Sequence, residues 1–106
     1  MSDGVLGKAM TVAGQNTTVY TVPSDARFST ASICLVNLDT TEATVRVSIG
    51  TSATPGDTDF IEYDAKLPPN GGILERSCVV CSPNENVIVK SNNSRVACRV
   101  YGLEQL

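Results

Sequence analysis

The segment Glu42-Ala43-Thr44-Val45-Arg46-Val47-Ser48-Ile49-Gly50 alternates apolar and polar residues without a break. Successive side chains of an extended strand point to opposite faces. Ala43, Val45, Val47 and Ile49 then form a dry face, and Glu42, Thr44, Arg46 and Ser48 a wet one. No stretch elsewhere sustains a helical period, so this strand sets the expectation for the whole chain: an all-β protein.

Working outward, the run 28–38 (FSTASICLVNL) is a second strand, separated from the first by Asp39-Thr40-Thr41. Upstream, KAMTVAG and TTVYTV flank Gly14-Gln15-Asn16, where Gly and Asn tolerate the positive φ of a tight hairpin. Downstream, SATPGDTD is a loop and KLPPNGG a second break, because Pro, Gly and Asn-Gly interrupt regular structure. Between them lies an acidic strand, and after them ILERSCVVC, then NVIVK and RVACRVYGL as a closing hairpin. Seven or eight strands at short, even spacing predict an antiparallel β-sandwich, of immunoglobulin-like or jelly-roll type. The sandwich is expected as one domain over residues 8–106, preceded by a loose N-terminal arm, residues 1–7.

Composition agrees with this class. The chain has 106 residues, 42% of them hydrophobic but only 5% aromatic, with no Trp. Val, Ile, Leu and Ala must therefore fill the interior, and β-branched residues favour strands. The net charge is −3 and the eight basic residues are scattered along the chain. Nucleic acid is an unexpected partner, because phosphate binding needs concentrated basic surface. No apolar run approaches the roughly 20 residues of a membrane helix, and the first residues lack signal-peptide character, so synthesis in the cytoplasm and no membrane partner are expected.

The acidic strand, Asp57-Thr58-Asp59-Phe60-Ile61-Glu62-Tyr63-Asp64, holds four of the 11 acidic residues. Strict alternation would turn Ile61, Tyr63 and Ala65 to the core and Phe60, Glu62 and Asp64 to solvent. Glycosidase carboxylates or a calcium site are conceivable, but the calcium-loop spacing is missing and aromatics for a sugar cleft are few. A solvated or partner-contacting face is the expected role. Histidine is absent, which removes the commonest general base and metal ligand. Neither catalysis nor a cofactor is expected.

Four cysteines remain, Cys34, Cys78, Cys81 and Cys98. The Cys78-Val79-Val80-Cys81 spacing occurs in zinc sites, and four thiolates could complete a tetrahedron if the strands converged. Two valines in the gap suit a strand better than a metal-binding turn. Free thiols acting as small hydrophobes are the first expectation, a late disulfide the second and zinc the third.

The run from Val19 to Ile49, with Tyr20-Thr-Val-Pro23, a strand closing on Asn37 and the Ala43 to Val47 alternation, resembles a pattern of small β-sandwich virion proteins of tailed bacteriophages. FIEYDAKLPPNG and VACRVYGLE are similar to later strands of that pattern. The likeness spans about residues 18–104 and is weakest over ERSCVVCSPNEN. It implies a capsid decoration, or cement, protein that binds the outer surface of the major capsid protein shell and stabilises the head. A tail, fibre or neck component is the rival within the virion, and a carbohydrate-binding module the rival of another class. Several weak footprints on a symmetric shell act together best when the docking protein is itself symmetric, so a homotrimer is expected. The interface candidates are the arm residues Met1, Ser2, Asp3, Val5, Leu6 and Lys8, and the acidic-strand residues Phe60, Glu62 and Asp64.

Overall fold

The computed structural model describes residues 3–105. The alternating segment is a strand, β4 (Ala43–Gly50), with Ala43, Val45 and Val47 buried and Ile49 packed against them. Seven further strands surround it: β1 (Asp3–Met10), β2 (Asn16–Thr21), β3 (Phe28–Asn37), β5 (Phe60–Leu67), β6 (Ile73–Cys81), β7 (Asn86–Ser91) and β8 (Val96–Gln105). A single 3-10 turn, Asp57–Asp59, leads into β5.

The strands form two four-stranded antiparallel sheets, ordered β1-β8-β3-β6 and β2-β7-β4-β5. The pairs β1·β8, β2·β7, β3·β6 and β4·β5 nest inside one another, as in one long hairpin rolled up, and β3·β8 and β4·β7 close each sheet. This order of eight strands is the jelly-roll arrangement and settles the choice left open with the immunoglobulin type. The hairpins expected around Gly14-Gln15-Asn16 and at the chain's end do not form. Strands β1 and β2, like β7 and β8, lie in different sheets, and only β4 and β5 are both consecutive and paired. The turn residues were legible, but here they carry the chain across the sandwich.

The core between the sheets is aliphatic, with Val22, Leu35, Val45, Leu67, Val87, Val89, Val96 and Val100 all but inaccessible. Cys81 and Cys98 belong to it. Burial pushes their thiols up to about 11 and about 12 respectively, since desolvation disfavours the thiolate. One end of the sandwich is fixed by buried Asn37, whose Nδ2 donates at 2.9 Å to the Thr41 carbonyl and lies 3.2 Å from the carbonyls of Leu67 and Pro68. Interior polarity is also paired at Tyr20, whose hydroxyl donates to the Glu104 carboxylate at 2.6 Å, with the Ser29 hydroxyl 3.3 Å away.

The arm expected over residues 1–7 is not loose where it is described. From Asp3 the chain is strand β1, in register with β8 through Asp3↔Leu103 and Lys8↔Arg99. A sheet edge at β8 offers backbone partners that outweigh the weak local strand propensity of DGVLGKAM. Gly7 lies where a Cβ would come 2.1 Å from the Val19 carbonyl oxygen of β2, so the two sheets approach closely at this edge. The opposite edge is closed differently: the Arg76 guanidinium of β6 spans to Glu62 of β5, with Nη2 2.6 Å and Nε 2.9 Å from one carboxylate oxygen.

Candidate functional site

The acidic strand β5 departs from strict alternation. Asp64 takes a left-handed conformation, φ 53°, and the pairing with β4 shifts between Val45↔Ala65 and Val47↔Glu62 and again before Ser48↔Phe60. Each shift inserts one extra residue, a β-bulge, which reverses the faces that follow. Tyr63 is therefore 59% exposed and Ile61 39% exposed, whereas both were expected in the core. Ala65 alone of the three packs against the core. The expected wet face divides as well. Glu62 shares the register position of buried Val47 and turns into the cleft to meet Arg76, while Asp64 faces outward and binds Arg46 at 2.7 Å. Phe60 shares its position with Ser48, on the outer side of β4.

Outside β5, these residues form a small organised cluster. Tyr63 meets Phe60 edge to face, ring centroids 5.0 Å apart, and the Arg46 guanidinium lies 4.0 Å above the Tyr63 ring. Arg46 holds the Asp64 carboxyl below the usual carboxylate range through its hydrogen bond and charge. Beside them is a depression of about 190 Å³ lined by Thr44, Arg46, Asp64, Lys90 and Asn92. Asp57, at the entry to β5, is exposed.

The larger surface feature is on the other sheet. Ala9, Leu35, Leu74 and Cys98 point into the sandwich, so their neighbours along each strand point out. One outward row crosses all four strands as Met10, Ala97, Val36 and Ile73, each in register with the next. The adjacent row is Lys8, Arg99, Cys34 and Glu75. Met10 and Ile73 are exposed, and exposed Val12 and Leu38 lie at the same end of the sheet. Between the two rows runs a groove of about 440 Å³ whose lining includes Met10, Val36 and Ala97 with Lys8 and Arg99. Among the described residues, neither Lys8 nor Arg99 has a carboxylate within ion-pair distance. Glu75, at the far end of its row, accepts a hydrogen bond from Tyr101, which raises the Tyr101 hydroxyl's pKa.

Of the arm candidates, Lys8 belongs to this groove, exposed Val5 pairs with Tyr101 on the same sheet and Leu6 packs partly on the core. Asp3 is placed as the first residue of β1, and Met1 and Ser2 lie outside the described residues. Met10, Val36, Ile73, Ala97 and Arg99 were not singled out by sequence. Their signal was present in β3, where Ile33-Cys34-Leu35-Val36 is continuously apolar instead of alternating, the mark of a strand covered on both faces.

The four cysteines do not converge. Cys34 faces outward and Cys98 inward on paired strands. A bulge in β6 with Cys78 at φ 59° leaves Cys78 exposed and turns Cys81 into the core. Among the described residues no group of three or more His, Cys, Asp or Glu side chains is placed to hold a metal ion. No described helix is long and apolar enough to cross a membrane. In comparison with known proteins, the chain matches no family model, and no curated protein or solved structure is significantly similar to it.

Proposed function

We propose that this chain is a virion protein of a tailed phage, a decoration or cement protein that binds the outer surface of the major capsid protein shell and stabilises the head. The observation that carries the reading is the outward strip Met10-Ala97-Val36-Ile73 beside the groove. A small domain seldom leaves a continuous apolar strip of this kind open unless a partner covers it. The jelly roll supports the reading by analogy alone, since viral capsid domains use it repeatedly. The sequence pattern of Tyr20 to Pro23, Asn37 and Ala43 to Val47 supports it independently. Three copies, closed into a homotrimer over a local three-fold of the shell, would each contribute a modest footprint, and linkage raises avidity by roughly 10²- to 10⁴-fold.

The test compares virions with and without the protein for release of genome on heating, together with a reconstruction of the head. Density lost from the capsid surface along with lower heat resistance is the expected result. Density lost only from the tail transfers the protein to the tail, fibre or neck. A carbohydrate-binding module is favoured by one feature, exposed Tyr63 beside the polar depression at Asp64 and Asn92, and by the use of jelly rolls in lectins. Saturable binding to an immobilised glycan, abolished by Tyr63→Ala, would select that reading instead.

A further inference from the structure

Two features of the surface complement each other in charge and in apolar character. The groove on the β1-β8-β3-β6 sheet pairs an apolar floor with Lys8 and Arg99, cations without a described carboxylate partner, in a protein of net charge −3. The start of β5, on the other sheet, sets the exposed Asp57 carboxylate beside the exposed side chains of Ile61 and Tyr63, while the Asp59 carboxylate is turned back to accept the Gly56 N–H at 2.9 Å. Tyr63 is held in place before any contact, clamped between Phe60 and Arg46. Pre-ordered aromatic side chains bind with little further loss of entropy, and Tyr and Arg are the residue types that dominate interface energies.

We propose that the groove of one copy receives the Asp57–Tyr63 segment of the next, so that the protein assembles head to tail through Lys8 and Arg99 on one side and Asp57 on the other. This rests on the self-assembly part of the reading above and names its contact. The two patches belong to opposite sheets of one sandwich, so each contact leaves one groove and one β5 start unfilled. A heterologous contact of this kind closes into a ring when its rotation permits and otherwise propagates as a filament. A ring is the form that a symmetric shell accepts. The charge term makes association sensitive to salt.

The experiment uses the whole chain and three proteins: wild type, a groove variant (Lys8→Glu with Arg99→Glu) and a knob variant (Asp57→Asn with Ile61→Ser), the neutral Asn leaving no charge to attract the reversed groove. All the substituted residues are exposed, and unchanged circular dichroism and melting establish that the variants fold. Sedimentation equilibrium should give wild type as a defined multiple of the 11.2 kDa chain, dissociating as salt rises. Each variant should weaken self-association by about 10- to 100-fold. Mixed in equal amounts, the two variants should form a one-to-one dimer and nothing larger, because one intact groove and one intact knob remain. A monomeric wild type, a knob variant with the wild-type mass, or a mixture that stays monomeric overturns the proposal. The head assay separates this from the broader reading. A wild-type monomer that still protects heads defeats the head-to-tail contact and leaves the decoration role standing, whereas a ring that never binds heads does the reverse.

Discussion

Tyr20→Phe removes one oxygen from the interior, and the structure fixes what that should cost. Tyr20 and Glu104 are 7% and 5% exposed, and their contact joins β2 of one sheet to β8 of the other at 2.6 Å. Deleting the hydroxyl takes a donor from a buried carboxylate, a loss of about 1–3 kcal/mol at neutral pH. The same contact has a pH signature. Burial, and then the hydrogen bond to Glu104, raise the Tyr20 pKa from its ordinary 10.0 to about 12. The folded state thus keeps the phenol neutral in a range where the unfolded chain ionises it. Stability from this group is complete below pH 10 and is lost as pH rises from 10 to 12, by up to about 2.7 kcal/mol for a shift of two units. Cys81 and Cys98 also lose stabilisation in alkali, since their thiols are raised too, but wild type and variant share that loss. Urea denaturation followed by circular dichroism at pH 7, 9, 10 and 11 isolates Tyr20 as the difference between the two curves. The gap should stand at 1–3 kcal/mol through pH 9 and narrow above pH 10. A gap below about 0.5 kcal/mol at pH 7, the range of an inconsequential surface change, or one that stays constant to pH 11, would refute the reasoning.

Other outcomes test the bulged strand and the sheet edges. Leu67→Ala should cost about 2–5 kcal/mol in urea denaturation, because Leu67 is buried, whereas Tyr63→Ala should cost no more than about 1; equal losses would place Tyr63 in the core after all. Gly7→Ala should destabilise by about 1–3 kcal/mol, since its Cβ would press on the Val19 carbonyl oxygen across the sandwich; a neutral thermal melt would show that β1 and β2 separate freely. In native protein a disulfide-exchange reagent should modify exposed Cys78 first and leave Cys81 and Cys98 unmodified until denaturant is added; peptide mapping of the labelled sites decides.

The contrast between β4 and β5 shows what the sequence carried. In β4 the two-residue period put Ala43, Val45 and Val47 on the buried face with Ile49 packed against them, as found, and of the expected wet face only Ser48, opposite Phe60 of β5, is covered instead. In β5 the same rule placed Tyr63 inside, and the structure places it outside. Nothing local in Phe60-Ile61-Glu62-Tyr63-Asp64 announces an inserted residue. Asp is one of the few side chains that tolerate the left-handed conformation, but it also sits in ordinary strands and turns. Both insertions are decided by the pairing with β4, in which Val45 meets Ala65 and Ser48 meets Phe60, so that three steps along β4 face five along β5.

Read along the chain, the residues indicate an antiparallel β-sandwich of seven or eight strands, the approximate places of its strands and breaks, and the interior face of β4. Those properties follow from side-chain alternation and from the conformational preferences of Gly, Pro and Asn, which act over a few residues. Tertiary contacts set which strands pair, the jelly-roll order, the pairing of β1 with β8 from Asp3 onward, and the contact of Glu62 with Arg76 across the sandwich edge. The same contacts create the outward strip, because Met10, Val36, Ile73 and Ala97 lie far apart in the chain and meet only through the registers of four strands. Local preference specifies a strand and its faces; the partner across each backbone hydrogen bond is chosen by the burial of the whole core, and the outward strip is a consequence of that choice.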